Sequence, residues 1–130
     1  MTGAIVFISR NKIKGDNSIE FKKHYQDSIQ PILDSKPCTL AQLAYGDEET
    51  AEFTVIRLFP DADALDQQIQ GADERSKRTY EFIEPIAIEI YGTPNPATLE
   101  KMKKVAGSGI EVKIIPQVWG GFIRNLVAGE

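Results

Sequence analysis

Residues 52–59 read Glu-Phe-Thr-Val-Ile-Arg-Leu-Phe (EFTVIRLF), and this stretch decides the fold. It is rich in β-branched and aromatic residues, as a strand prefers. Side chains alternate across a strand, so Phe53, Val55 and Phe59 point one way and Thr54, Ile56 and Leu58 the other. A strand apolar on both faces must be covered on both faces. The one charge inside it, past Glu52 at its start, is Arg57.

Working upstream, 46–50 (GDEET) is a polar link of hairpin length, and 39–45 (TLAQLAY) reads as a strand. The two strands should therefore pair antiparallel. Downstream, Pro60 stops the strand and Asp61 caps a helix with Leu65, Ile69 and Ala72 on its apolar stripe. Gly71 interrupts it at roughly 1 kcal/mol against Ala. Ser76, Tyr80 and Ile83 continue the stripe, so the spacing predicts one broken helix or two short ones, closed by Pro85.

Further out, 4–9 (AIVFIS) is a second doubly apolar strand, and 12–17 (KIKGDN) has turn chemistry. A helix should follow from Ser18 to about Ser35, capped by Ser18, Asp16 or Asn17. Its stripe is Phe21, Tyr25, Ile29 and Ile32, and Pro31 predicts a kink or early end. Residues 86–91 (IAIEIY) alternate as a fourth strand, before the breaker cluster 92–96 (GTPNP). Beyond it, 97–105 form a short amphipathic helix ended by Gly107 and Gly109. A fifth strand, 111–115 (EVKII), is limited by Pro116 to a sheet edge. The tail holds Trp119, Phe122, Ile123 and Leu126 and is too apolar to be free in water.

The order β-α-β-β-α-β over residues 1–94 is the ferredoxin-like α+β arrangement, and 95–130 form an extension in the same single domain. Right-handed crossovers put both helices on one face of the sheet, with 4–9 and 52–59 central. The other face still carries large apolar residues, and each one left in water forgoes roughly 1.5–3 kcal/mol. The expected remedy is a second copy packed sheet to sheet, a two-fold homodimer. The extension would then reach over the partner or close a sheet edge. The alternative cover is the extension itself, folded back within the chain.

The chain has 130 residues, 42% hydrophobic and 26% charged, the composition of an ordinary globular domain. A net charge of −4 and a pI near 5.1 argue against nucleic acid and against anionic membranes as partners. Cys38 is the sole cysteine, so no internal disulfide is available and a cytoplasmic home is expected. The N-terminal apolar run is too short for a secretory signal. No stretch approaches the roughly 20 apolar residues of a membrane span.

The stretches IVFISRNKIK, FKKHY, 52–59 running into PDADAL, and YEFIEPIAIEIYGTP together resemble the dimeric α+β barrel superfamily. Its best-known members are the antibiotic-biosynthesis-monooxygenase-like proteins. The resemblance covers roughly residues 4–92 and carries no sharp catalytic motif. It implies a dimer with packed sheets and a pocket between helices and sheet in each subunit. It also implies oxidation of aromatic polyketides without metal or flavin, as in several members, or haem degradation, as in others. Haem-degrading members place a ligating histidine on the second helix, where this chain has none.

His24 is the only histidine and borders the first helical stripe. Imidazole exchanges protons near neutrality, which makes it the candidate base or ligand; the plainer reading is a boundary residue with one hydrogen-bond partner. Arg57 needs an anionic ligand or an acidic partner such as Glu89. Tyr45 and Tyr91 are candidate orienting groups, and Tyr25, Tyr80 and Trp119 candidate pocket residues, since each couples an apolar body to a polar tip. More often such residues are simply core, and Trp119 can instead anchor a dimer.

Asp47, Glu48 and Glu49 read as a solvated turn. Glu74 and Arg78 read as an exposed i,i+4 pair, and Lys101, Lys103 and Lys104 as a weak basic patch. There is no phosphate-binding glycine loop and no GxSxG. One His and one Cys cannot build a structural zinc site. Cys38 itself reads as an ordinary buried thiol.

The expectation is thus a small-molecule-binding protein resembling cofactor-independent monooxygenases, acting on a small apolar, aromatic or polyketide-like molecule with no cofactor and no metal. A non-catalytic ligand-binding or structural homodimer is the alternative, and a haem-binding or haem-degrading protein the third.

Overall fold

The computed structural model describes residues 3–70, 77–106 and 109–124. The elements are β1 (Ile5–Ile13), α1 (Ser18–Ser35), β2 (Ala41–Asp47), β3 (Glu52–Phe59), α2 (Ala62–Ile69), β4 (Ile83–Tyr91), α3 (Pro96–Ala106) and β5 (Glu111–Ile115). The strands form one sheet in the order β2-β3-β1-β4-β5. Its first four strands are antiparallel to their neighbours, which is the ferredoxin-like α+β order. The two most apolar strands pair in its interior, Phe7 opposite Arg57 and Ile8 opposite Ile56. β5 joins parallel to β4 after the α3 crossover.

α1, α2 and α3 cover the same face. Ile5, Phe7, Phe59, Ile88 and Ile90 pack with Leu65 of α2 and Met102 of α3. A second cluster joins Phe21 of α1 to Ile13, Phe53, Val55, Phe82 and Ile83. Phe21 meets Phe53 edge-on, ring centroids 4.6 Å apart.

Where the structure departs from sequence expectation, the cause is tertiary. β1 runs on to Ile13 through residues that read as a loop. Asn11 and Ile13 turn inward there, and the Ile13 N–H donates to the Ala51 carbonyl at 2.7 Å. α2 ends at Ile69 and helix recurs at residues 77–79, in line with the broken helix expected; residues 71–76, with Gly71, Ala72 and Ser76, lie outside the described residues. Tyr80 does not continue its stripe but sits in a turn, and Ile83 opens β4.

Pro85 closes no helix. It lies inside β4 opposite Asn11, beside a register shift that leaves Ile86 without a partner. A bulge is where a strand tolerates a residue lacking N–H. α1 continues through Pro31 to Ser35 and starts from Asn17, without a side-chain cap. Asp61 does cap α2, accepting the Ala64 N–H at 2.8 Å.

The opposite face of the sheet carries no helix among the described residues. Val6, Ile8, Ile56 and Leu58 are only half-buried there, while Leu43 and Tyr45 are 53% and 60% exposed. Arg10 and Glu89 form an ion pair on it at 2.9 Å. The described residues of the extension do not fold back over this face. α3 packs on the helix side, β5 closes the β4 edge, and beyond it Trp119 and Phe122 are 94% and 79% exposed. No helix among the described residues is long and apolar enough to cross a membrane.

Candidate functional site

Between the helices and the sheet lies a cavity of about 370 Å³. Its floor is the inward face of the central strands: Phe7, Ser9 and Asn11 of β1, Phe53, Val55 and Arg57 of β3, Ile83, Pro85 and Ile88 of β4. α1 supplies the roof with His24, Tyr25, Ser28 and Ile32; Gln68 and Ile69 of α2, Met102 of α3, and Thr79 and Tyr80 ahead of β4 close the sides. The wall is mostly apolar with a few polar tips, the usual make-up of a small-molecule site.

His24 is half-buried, with Nε2 3.2 Å from Thr79 Oγ1 and its ring stacked on Phe82 at 5.4 Å. Those two contacts hold the imidazole plane at the cavity wall. Arg57 enters from the floor because position 57 shares the inward parity of Phe53, Val55 and Phe59. Its Nε donates to Gln42 Oε1 at 2.8 Å, and its guanidinium lies 6.0 Å from the Phe7 ring centre. Gln42 Nε2 donates in turn to Tyr25 Oη at 3.0 Å. A carboxamide thus links a cation on the floor to a phenol on the roof. Glu89 is not the partner of Arg57, since it lies on the other face and pairs with Arg10.

Asn11, 3% exposed, is the site residue that the sequence reading missed. Its Nδ2 donates to the Ser9 carbonyl (3.2 Å), Ser9 Oγ (3.1 Å) and the Phe53 carbonyl (3.3 Å). The amide orientation follows, because a carbonyl can only accept. No buried side-chain polar atom among the described residues is left without a partner, so Oδ1, which makes no such bond, is the end that opens to the cavity. The signal was available: with β1 extended to Ile13, Asn11 falls on the inward parity of Ile5 and Phe7.

Of the residues singled out from sequence, His24, Arg57, Tyr25 and Tyr80 converge on the cavity. Tyr45 and Tyr91 do not. They stand on the open face, opposite Thr54 and Val6, and Tyr91 Oη donates to Glu89 Oε1 at 3.4 Å. Trp119 lies in the exposed tail, far from burial by its own chain. Asp47 closes the β2–β3 turn, its carboxylate accepting the Glu49 and Thr50 N–H groups. Arg78 pairs with Glu81 and lies over Phe82; Glu74 is outside the described residues. Cys38 is a free, half-buried thiol packed beside the core. Among the described residues no three His, Cys, Asp or Glu side chains converge as a metal-ligand set.

Solved structures share this architecture. MupZ from Pseudomonas fluorescens superposes with a TM-score of 0.64 over 92% of this chain and 95% of its own, at 12% identity. That span reaches into the C-terminal extension. SnoaB, a cofactor-independent oxygenase from Streptomyces nogalater, matches with a TM-score of 0.58 over 72% of this chain and 95% of its own, at 11% identity. A protein from Caulobacter crescentus provisionally assigned as an antibiotic biosynthesis monooxygenase matches with a TM-score of 0.59 over 68% and 88%, at 19% identity. No family model matches the chain, and no curated protein matches it significantly in sequence. The chain shares its fold with these three proteins; identities this low establish the fold alone.

Proposed function

We propose that the protein binds an electron-rich aromatic or polyketide-like molecule in the 370 Å³ cavity and oxygenates it with molecular oxygen, without a cofactor. The observation that carries the reading is the convergence of His24, Arg57 and Asn11 on one apolar chamber, in a fold shared with a cofactor-independent oxygenase. In the proposed reaction His24 takes a proton from an activated CH₂ of the substrate. The resulting carbanion passes an electron to O₂, and the radical pair joins through a new C–O bond. Protonation gives a hydroperoxide; loss of its remaining C–H proton and cleavage of O–O leave a ketone and one water. Arg57 stabilises the oxyanion form of the substrate, and Asn11 Oδ1 accepts a hydrogen bond from a substrate hydroxyl.

The same reading makes the protein a homodimer through its open face, supported by the half-buried Val6, Ile8, Ile56 and Leu58. The lone thiol Cys38 fits a reducing compartment, the basis for placing the protein in the cytoplasm.

The test is a panel of hydroxylated anthrones and tetralones incubated with protein under ¹⁸O₂. The expected result is saturable oxygen uptake, with label in the product ketone. His24→Ala should lower kcat by about 10²–10⁴, the usual weight of a general base, with little change in ligand Kd. Tight binding without oxygen uptake would leave the non-catalytic reading in its place.

A further inference from the structure

Ser9 stands at the middle of the cavity floor. It shares the inward parity of Phe7 and Asn11 on β1, opposite Val55 of β3 and Ile88 of β4, and is half-buried there. A hydroxyl between two branched apolar side chains breaks the pattern of a central strand, where packing favours apolar residues. Taking a hydroxyl out of water is costly unless it finds a partner.

Its oxygen already has one. Ser9 Oγ lies 3.1 Å from Asn11 Nδ2. The direction of that bond is fixed, because an amide nitrogen donates and does not accept. The same NH₂ group donates to the Ser9 and Phe53 carbonyls, which hold the carboxamide in place without the serine side chain. Ser9 Oγ is therefore the acceptor in this contact, and its own hydrogen is turned away from Asn11. No acceptor for that hydrogen stands within reach among the described residues. The flanking side chains of Phe7, Val55 and Ile88 have none to offer, so the hydrogen is left to the cavity.

We propose that Ser9 donates a hydrogen bond to a carbonyl oxygen of the ligand, so that Ser9 and Asn11 together read a ketone and a hydroxyl set side by side on one ring system. The inference rests on the cavity being the ligand site proposed above and adds a specificity-determining residue to it. Asn11 Oδ1 accepts from the ligand, Ser9 Oγ donates to it, and the amide nitrogen between them is spent on the protein. The pair fits a hydroxy ketone in one orientation. Turned over, the ligand would set its carbonyl against Asn11 Oδ1, acceptor against acceptor. A ligand without the ketone would strand the Ser9 donor once it filled the cavity. Arg57 is the next inward residue of β3 beyond Val55 and thus a diagonal neighbour of Ser9, which puts the donor and the cation on the same stretch of floor. A donor at the carbonyl also favours the enolate that forms when His24 takes the neighbouring proton.

Two ligands isolate this role. The first, 8-hydroxy-1-tetralone, carries both groups; the second, 5-hydroxytetralin, is the same hydroxylated ring without the ketone. Calorimetry on the wild-type chain should show the ketone binding about tenfold tighter, the weight of one hydrogen bond. Ser9→Ala should erase that preference by weakening the ketone alone. It should leave the urea midpoint in place, since Asn11 keeps both carbonyls. Equal losses for the two ligands would make Ser9 a packing residue and overturn its role, as would a preference that survives in Ser9→Ala. Infrared difference spectra with ¹³C at the carbonyl add a signature that packing does not move. The bound carbonyl stretch should lie lower in wild type than in Ser9→Ala, and equal frequencies refute the hydrogen bond. Should Ser9→Ala fail to fold, Ser9→Cys, of the same shape and a much weaker donor, takes its place with the same expectations. A Ser9-dependent preference without oxygen uptake removes the oxygenation and keeps Ser9 as the donor. Failure of both ligands to bind removes the site and the role of Ser9 together.

Discussion

Arg57 and Gln42 stand opposite each other in the β2–β3 register, joined by a 2.8 Å hydrogen bond from Nε to Oε1. Gln42 also donates to Tyr25, so one side chain sets the position of two polar groups at the cavity. Gln42→Leu would keep the volume and remove both bonds. A half-buried hydrogen bond is worth about 0.5–1.5 kcal/mol net, so urea unfolding should show a loss of about 1–3 kcal/mol for the pair. Ligand affinity should fall more in Arg57→Leu than in Gln42→Leu, since the first removes the cation and the second only its alignment.

The open face makes a separate prediction. Ile56 lies opposite Ile8 at its centre, half-buried in the single chain, and contributes nothing to the helix-side core. Ile56→Lys should therefore leave the subunit folded by circular dichroism and break the proposed dimer. Stranding a charge in such a contact costs about 2–5 kcal/mol, and each 1.4 kcal/mol is tenfold, so association should weaken by about 30-fold or more. Sedimentation velocity across concentrations measures it.

Gly92 ends β4 and receives the start of the extension. Its φ is 115°, and a Cβ there would lie 2.8 Å from both the Ala4 carbonyl oxygen and Ile5 Cγ1. Its N–H donates to the Ile115 carbonyl at 2.8 Å, tying the end of β5 to the core. Backbone strain of this kind costs about 1–3 kcal/mol before any clash. Gly92→Ala should lower stability by at least about 2 kcal/mol, read from the shift of the urea midpoint.

Much of this architecture was legible in the chain because local chemistry and tertiary demand agree. EFTVIRLF is bounded by a turn and by Pro60, and β3 occupies residues 52–59 as read. β5 likewise runs from Glu111 to Ile115. β1 was truncated in the reading because Arg10 and Lys12 break the apolar run, yet they fall on one parity and leave Asn11 and Ile13 on the other. Pro85 misled for a different reason: the bulge that accommodates it belongs to the β1–β4 pairing, which no local pattern shows.

His24 and Arg57 were visible as isolated polar groups within apolar stripes. The placement of Tyr45 could have been worked out: the turn between β2 and β3 sets Asp47 against Glu52 and hence Tyr45 against Thr54, already assigned to the outer face. Asn11 needed the full length of β1.

Asn11 is the sharpest remaining test of the site. Asn11→Leu keeps the approximate volume but leaves the Ser9 and Phe53 carbonyls without their side-chain donor. A buried group stripped of its partner costs about 1–3 kcal/mol, so this variant should be destabilised whatever the cavity does. Asn11→Asp separates the two roles. A carboxylate cannot donate to those carbonyls and still offers an acceptor to the cavity. If Asn11 serves only the fold, through Nδ2, both variants should lose stability and retain ligand affinity in proportion to their folded fraction. If it accepts a substrate hydroxyl, Asn11→Leu should lose at least about tenfold in affinity for the folded protein, the weight of one 1.4 kcal/mol contact. Asn11→Asp should lose less affinity for hydroxylated ligands than for their methyl ethers. Titration calorimetry on matched hydroxy and methoxy ligands, below the unfolding transition, distinguishes these outcomes.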